Sequence, residues 1–326
     1  MKAVLVDEQT KMLVLGEAEE PAVGAGELLV EVKATALNRA DLLQKRGHYP
    51  PPPGASTILG LEMAGIVLEA GVETEGWQPG DRVFGLLPGG GYAARVSLPA
   101  GMAMRIPDAL SFEEAAAIPE AFLTAYLNLV ELGGLEAGKT ALIHAGASGV
   151  GTAAIQIARE LGARAIVTAG SEAKRQAALA LGASLAIDYK AGPFAPQVLE
   201  ATAGRGVEVV LDAIGAAYWT QHLEVLAMDG RLVLIGLMGG SKVAEADLGR
   251  LLSRRIRVIG STLRNLPLQE KLRLTAQLAD WALPRFADGR LRPVIDTVLP
   301  WTEANEAHAR MESDANVGKI VLRVEG

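Results

Sequence analysis

The sequence contains no cysteine. Disulfides, thiolate catalysis and any zinc site that needs a cysteine ligand are therefore excluded before a single motif is considered. It also lacks a basic excess: 31 Lys and Arg against 38 Asp and Glu leave a net charge of −7, whereas nucleic-acid binders concentrate positive charge on one face. The basic cluster Arg250, Arg254, Arg255 and Arg257 reads as an exposed helix end running into a strand. No apolar run reaches the length that a membrane helix requires, and the N-terminus opens directly on M-K-A-V-L-V-D. These absences predict a cytoplasmic protein with neither nucleic acid nor membrane as a partner. Internal repeats and low-complexity tracts are missing too, and at 326 residues, half of them apolar, the chain is long enough to fill two hydrophobic cores.

The most informative stretch that is present runs from Thr140 to Gly162, T-A-L-I-H-A-G-A-S-G-V-G-T-A-A-I-Q-I-A-R-E-L-G. An apolar strand, a loop of small residues and an amphipathic helix follow one another, the pattern of a phosphate-binding βα turn. Small residues let backbone N–H groups and the helix N-terminus approach a pyrophosphate. The loop Gly146-Ala147-Ser148-Gly149-Val150-Gly151 departs from G-x-G-x-x-G at Ser148, whose hydroxyl falls within reach of the pyrophosphate or ribose. Two other motifs compete for this region. The stretch 133–140 satisfies G-x-x-x-x-G-K-[ST] but follows a helix and opens a strand, the reverse of what a P-loop needs. A serine nucleophile elbow, G-x-S-x-G, would require glycine where Val150 stands, which disfavours a hydrolase using His222 or His308.

From residue 1 to about 106 the chain reads as short alternating strands, near 2–6, 28–36, 64–69, 82–86 and 92–98, separated by Gly and Pro turns. N-R-A-D-L-L-Q-K-R-G-H-Y precedes four consecutive prolines, 50–53, which preset a stiff loop standing off the sheet with Tyr49 at its base. Helices are expected at 113–117 and 120–132. Strands at 140–145, 165–169, 185–187, 207–212, 231–237 and 257–261 then alternate with helices, which calls for a doubly wound parallel sheet. A mixed tail follows, with helices at 267–283 and 301–311 and strands at 294–299 and 319–324. The expected organisation is a mainly β domain (1–122), an inserted dinucleotide-binding domain (123–262) and a return to the first domain (263–326), with a cleft between the two domains.

Cofactor choice rests on the end of the second strand of the nucleotide domain. NAD enzymes place Asp or Glu there; here the strand ends Val167-Thr168-Ala169-Gly170-Ser171, and Lys174 and Arg175 follow. That arrangement favours the 2′-phosphate of NADPH, with Tyr189 able to touch the same group.

Taken together, N-R-A-D-L-L-Q-K-R-G-H-Y-P-P-P-P-G-A-S, H-A-G-A-S-G-V-G-T-A-A-I-Q, A-I-G-A-A-Y-W, G-L-M-G-G and N-V-G-K-I-V resemble the medium-chain dehydrogenase/reductase superfamily. Within it the chain is similar to the zinc-free quinone oxidoreductases related to zeta-crystallin, of the p53-inducible type. The resemblance covers essentially the whole chain. It implies an α/β fold in which a Rossmann domain interrupts a GroES-like domain, NADPH as cofactor, and a homodimer or higher oligomer joined through residues 257–261. Zinc-dependent relatives carry histidine before a glutamate; here that pair is Leu61-Glu62, so the resemblance implies chemistry without metal. Carried over by position, it places Asn38, Asp41 and Tyr49 at the catalytic end. Around the cofactor it places Thr124, Ser148, Gly149, Val150, Gly170, Ser171, Lys174, Tyr189, Ile214, Leu237, Met238, Leu263 and Asn316. Asn38 reads equally as a helix cap, and Ile214, Leu237 and Met238 as core residues. The implied activity is hydride transfer from NADPH to a quinone. Reduction of an α,β-unsaturated carbonyl is the alternative, and a non-catalytic NADPH-sensing or RNA-binding protein a third reading.

Overall fold

The computed structural model describes residues 1–325 and divides the chain into two compact units, Met1–Leu123 with Arg264–Gly326, and Thr124–Leu263. The fold class is α/β, a doubly wound parallel sheet inserted in a GroES-like β domain.

In the inserted unit six parallel strands lie in the order Leu185–Asp188, Arg164–Ala169, Thr140–Ile143, Val207–Asp212, Leu226–Leu234 and Arg257–Gly260. The strand that carries the small-residue loop is thus third across the sheet. Parallel strands covered on both faces read as continuous apolar runs, and Ala141, Leu142 and Ile143 are all fully buried. Leu142, Ile166, Val210 and Leu232 meet in one core with Phe194 and Val198, each aliphatic side chain contributing about 2 kcal/mol of burial. The helix Gly149–Glu160 contacts the strands Thr140–Ile143 and Arg164–Ala169, and its Ala153, Ala154, Ile157 and Ala158 are buried.

The other unit holds a sheet in the order Ile295–Pro300, Lys319–Arg323, Glu27–Ala36, Glu62–Ala70, Arg82–Leu86 and Ala103–Arg105, with Arg95–Pro99 also paired to Glu27–Ala36. Strand Glu27–Ala36 alternates buried and half-exposed residues, as a strand with one covered face must. The tail from Arg264 onward completes this sheet.

Several elements differ from the sequence pattern. The expected strand at 92–98 forms only over Arg95–Pro99, because Tyr92 and Ala93 turn inward and pair with residues 3 and 4. Leu13–Glu17, in which the consecutive Val14 and Leu15 are both exposed, pairs with Lys2–Val6 and lacks the alternation that marks a strand. The helix expected at 120–132 is α-helical over Pro119–Tyr126 and widens to a π-turn over Leu127–Leu132, where the Asn128 amide donates back to the Thr124 carbonyl at 2.7 Å. Strand Leu226–Leu234 ends before Leu237 and Met238, which therefore lie in a loop. Among the described residues no helix is long and apolar enough to cross a membrane.

Candidate functional site

In the inserted unit, Ser148 is the N-cap of Gly149–Glu160 and its Oγ accepts from the Gly151 N–H at 3.0 Å. The hydroxyl is therefore spent partly on the helix, and its own hydrogen is what remains to offer a ligand. Gly149 and Val150 open the first turn, where N–H groups have no acceptor within the helix. A Cβ at Gly151 would stand 2.3 Å from the Ala145 carbonyl, and one at Gly146 would stand 2.6 Å from the Val167 Cβ. Ala145 adopts φ 52°, in the left-handed region that a residue with a Cβ rarely enters. Both glycines thus let the loop pack tightly against Ala145 and Val167, and the helix N-terminus that it opens fits a pyrophosphate held by backbone amides.

At the far end of the next strand, Gly170 and Ser171 precede a helix, Glu172–Ala180, and the Ser171 Oγ caps the Lys174 N–H at 3.3 Å. A Cβ on Gly170 would meet the Tyr189 hydroxyl at 2.7 Å, so Tyr189 lies directly over this turn. The two basic residues here divide. Arg175 is committed to Asp188 at 2.6 Å and to Glu172, while Lys174 beside it is half-buried.

Buried Asp212 accepts from the Ile214 and Gly215 N–H groups at 2.7 and 2.9 Å, and the loop 236–240 zips onto that turn through Met238 N–H to Ala213 O and Ala216 N–H to Gly240 O. Leu237 and Met238 are 55% and 54% exposed on this loop and Ile214 is half-buried, which corrects the reading of them as core. Thr124 and Leu263 are buried at the two ends of the unit.

Behind the phosphate loop sits a chain of buried side chains: Thr168 Oγ1 to His144 Nδ1 at 2.9 Å, His144 Nε2 to His222 Nε2 at 2.9 Å, and His222 Nδ1 to Asp212 Oδ2 at 3.8 Å. Burial holds both imidazoles below the usual histidine range, His222 at about 3, so one neutral ring donates to the other. His222 is thus committed to the sheet interior. In the other unit His308 is buried against the Tyr92 hydroxyl at 3.1 Å.

In the GroES-like unit, Asn38 and Asp41 are both bonded to neighbouring groups. Asn38 is the N-cap of Arg39–Lys45; its amide donates to Glu62 Oε1 at 2.8 Å and more weakly to the Ala36 carbonyl, and its oxygen accepts from Lys319 Nζ at 2.6 Å. Asp41 is 1% exposed and accepts from the Asn38 and Gly60 N–H groups. Burial lifts its carboxyl to about 6. Glu62 holds Lys319 at 2.7 Å through one oxygen and receives the Glu120 N–H through the other at 2.8 Å. Asn316, half-buried, donates to the Gly318 carbonyl at 2.7 Å and shapes the turn that leads into Lys319.

A cavity of about 660 Å³ opens in this unit, walled by the stiff loop at Pro52–Ser56, by Leu87 and Pro88, and by Glu120, Arg264 and Lys271. Tyr49 is set one step back from it, its ring 5.2 Å beneath the Arg264 guanidinium. Arg264 is itself fixed by Pro88 O at 2.7 Å and Gln44 Oε1 at 2.8 Å, while Lys271 donates to the Arg264 carbonyl at 2.6 Å. Burial, and then the Glu62 carboxylate, raise the Glu120 carboxyl to about 8, and burial pushes the Tyr49 phenol up as well. Glu120, Arg264, Lys271 and Lys319 were not among the residues expected from sequence. The available signal was Glu120, a single acid inside A-A-A-I-P-E-A-F-L-T-A.

This is a dinucleotide-binding fold joined to a β domain that carries a largely apolar cavity with a few charged residues in its wall. Residues 24–108 match the alcohol dehydrogenase GroES-like domain and residues 149–281 the zinc-binding dehydrogenase family. The chain is 30% identical to the human synaptic vesicle membrane protein VAT-1 homolog over 94% of its own length and 81% of that protein's. A quinone oxidoreductase of Pseudomonas syringae superposes with a TM-score of 0.87 at 31% identity, covering 99% of each chain. A mycobacterial protein, Rv1454c, solved with NADPH, gives the same TM-score at 29% identity and the same coverage. The chain is also 35% identical, over 90% of its length, to a Mycobacterium tuberculosis polyketide synthase subunit, of which it spans only 13%. The chain belongs to the medium-chain dehydrogenase/reductase family.

The zinc in the name of the matched family finds no fit among the residues around Glu62. Leu61 is a buried aliphatic, the chain offers no thiolate, and both oxygens of Glu62 are already bonded to Lys319, Asn38 and Glu120.

Proposed function

We propose that the protein is an NADPH-dependent reductase that transfers a hydride to a quinone without a metal. The observation that carries this reading is the turn of Gly170, Ser171, Lys174 and Tyr189. No carboxylate ends the strand before it, and the neighbouring Arg175 is held by Asp188. The NADPH bound by Rv1454c and the name of the Pseudomonas enzyme support the same cofactor and acceptor.

When bound, NADPH supplies the hydride. The chain's own residues do the rest: amides of 149 and 150 and the Ser148 hydroxyl hold the pyrophosphate, and Lys174 with Ser171 receives the 2′-phosphate. The exposed Leu237 and Met238 give the nicotinamide an apolar face. Quinones need no Lewis acid to accept a hydride, which suits a largely apolar cavity with Glu120, Arg264 and Lys271 among its polar residues. Catalysis is then mainly positioning.

The similarity to a polyketide synthase subunit favours a second acceptor, an α,β-unsaturated carbonyl. A screen of NADPH oxidation against quinones and enones, with products identified, separates the two: a hydroquinone supports the first, a saturated carbonyl the second, and no oxidation above the uncatalysed rate removes both. We propose in addition that two copies join along Arg257–Gly260, the edge strand of its sheet, beside which Leu248, Leu252 and Val258 are exposed.

A further inference from the structure

Four polar side chains run in a line through the interior of the inserted unit, Thr168, His144, His222 and Asp212, each 3% exposed or less. They come from four separate elements. Thr168 lies in the strand Arg164–Ala169, just before Gly170, and His144 follows the strand Thr140–Ile143 and leads into the small-residue loop. Asp212 ends the strand Val207–Asp212 and holds the turn of Ile214 and Gly215, while His222 is brought in by the helix Trp219–Val225. Three of the four thus stand at the roots of the three turns assigned above to the cofactor. The rings of Phe194 and Tyr218 pack on His144 at centroid distances of 4.9 Å and enclose the line in aromatic groups.

The direction of the hydrogen bonds follows from the far end. Thr168 Oγ1 and His144 Nδ1 are 2.9 Å apart, as are His144 Nε2 and His222 Nε2, so each gap holds a single hydrogen. If His222 gave its Nε2 hydrogen to His144, its Nδ1 would be a bare nitrogen facing the Asp212 carboxylate 3.8 Å away. In the reverse direction Thr168 donates to His144 Nδ1, His144 donates to His222 Nε2, and the His222 Nδ1 hydrogen turns toward that carboxylate. Only the second direction keeps a lone pair off a negative charge, and the Ile214 and Gly215 N–H groups already stabilise that charge. His144, His222 and Asp212 also have the composition of a metal site. Two nitrogens on one zinc ion at about 2.0 Å would stand about 3.3 Å apart, however, and 2.9 Å is the length of a hydrogen bond.

We propose that His222 is a positioning residue for the cofactor: it accepts from His144, turns its own N–H on Asp212, and so fixes the phosphate loop, the Gly170 turn and the Ile214 turn relative to one another. The proposal rests on the reading of those turns as the NADPH site. The backbone carries the constraint outward. The His144 N–H donates to the Leu211 carbonyl at 3.1 Å and the Gly146 N–H to the Thr168 carbonyl at 3.0 Å, so the segment bearing the His144 ring is tied to the strands on both sides. Amides that are preset for a pyrophosphate bind it without an added cost of ordering the loop.

Fluorescence titration with NADPH, run well below the melting temperature of each variant, tests this. His222→Leu removes both ring nitrogens and should raise the dissociation constant about tenfold, the effect of leaving one buried donor unpaired. His222→Gln, whose amide oxygen can accept from His144 Nε2, should stay within about twofold of wild type. Thr168→Val removes the other end of the line with little change of shape and should weaken binding about fivefold. In the ligand-free proteins, hydrogen exchange at the Gly146, Ile214 and Gly215 amides should be faster in His222→Leu and unchanged in His222→Gln. Variants that melt earlier but bind NADPH as wild type does overturn the proposal and leave the reductase reading intact. Equal losses of affinity in His222→Leu and His222→Gln overturn it too, since the bond to His144 is then not what matters. If His222→Leu does not fold, unchanged affinity in Thr168→Val overturns it alone. Wild-type protein that binds no NADPH overturns the proposal and the cofactor reading together.

Discussion

Lys319 Nζ lies 2.7 Å from Glu62 Oε1 with both side chains almost wholly out of water, 5% and 0% exposed. The lysine comes from one of the last strands and the glutamate from the fourth of the seven that form the sheet, so the pair ties the returning tail to the body of the GroES-like unit. Removing one partner leaves the other charge buried without compensation. Lys319→Met should therefore lower unfolding stability by about 3–5 kcal/mol in urea or guanidinium titrations, whereas an exposed pair such as Lys11–Glu8 should contribute under 1 kcal/mol.

Lys174→Ala should raise the dissociation constant for NADPH by at least tenfold, about 1.4 kcal/mol, and leave that for NADH nearly unchanged. Titration calorimetry with both nucleotides checks this. Equal losses for the two would show that Lys174 contributes to the fold rather than to the 2′-phosphate.

Gly151→Ala should abolish nucleotide binding at little cost to the rest of the sheet. A methyl group 2.3 Å from the Ala145 carbonyl forces the loop open and withdraws the amides from the pyrophosphate. Fluorescence titration with NADPH, together with a circular dichroism melt to show that the fold persists, provides the measurement.

The buried histidines set an acid limit on stability. An unfolded histidine titrates near 6.5, while His222 and His308 in the fold titrate at about 3 and His144 is likewise depressed. Between those values the unfolded chain binds more protons, so stability falls as pH falls, by about 1.4 kcal/mol per pH unit for each histidine. His222→Gln should reduce the slope of stability against pH between 6 and 4 by about one proton. Asp41, Asp212 and Glu120 act in the opposite sense: their folded values, raised to about 6, 6 and 8, mean that stability declines as pH rises through them.

Val258→Lys should shift the proposed dimer toward monomer in light scattering, since it places a charge on the strand edge that the second copy would cover. Retention of the wild-type mass would move the interface elsewhere.

Much of this molecule was readable from residue order, and the reason is locality. The alternation of apolar strand, turn and amphipathic helix after Lys139 is a short-range pattern, so the small-residue loop follows from Thr140–Gly162 and the parallel sheet from its repetition through residue 261. The absence of cysteine, the Leu61-Glu62 pair and the bare end of the strand at Ala169 are equally local. The tertiary structure decided how side chains are shared between distant segments. Asn38 and Asp41 carry polar groups suited to catalysis, but packing turns them inward to cap a helix and hold Glu62. Arg175 stands next to Lys174 in sequence, and only the fold brings Asp188 up to pair with it. The Glu120 carboxyl is raised first by burial and then by Glu62, which comes from a strand more than fifty residues away. A pKa belongs to a surrounding rather than to a residue, and that surrounding exists only once the chain has folded.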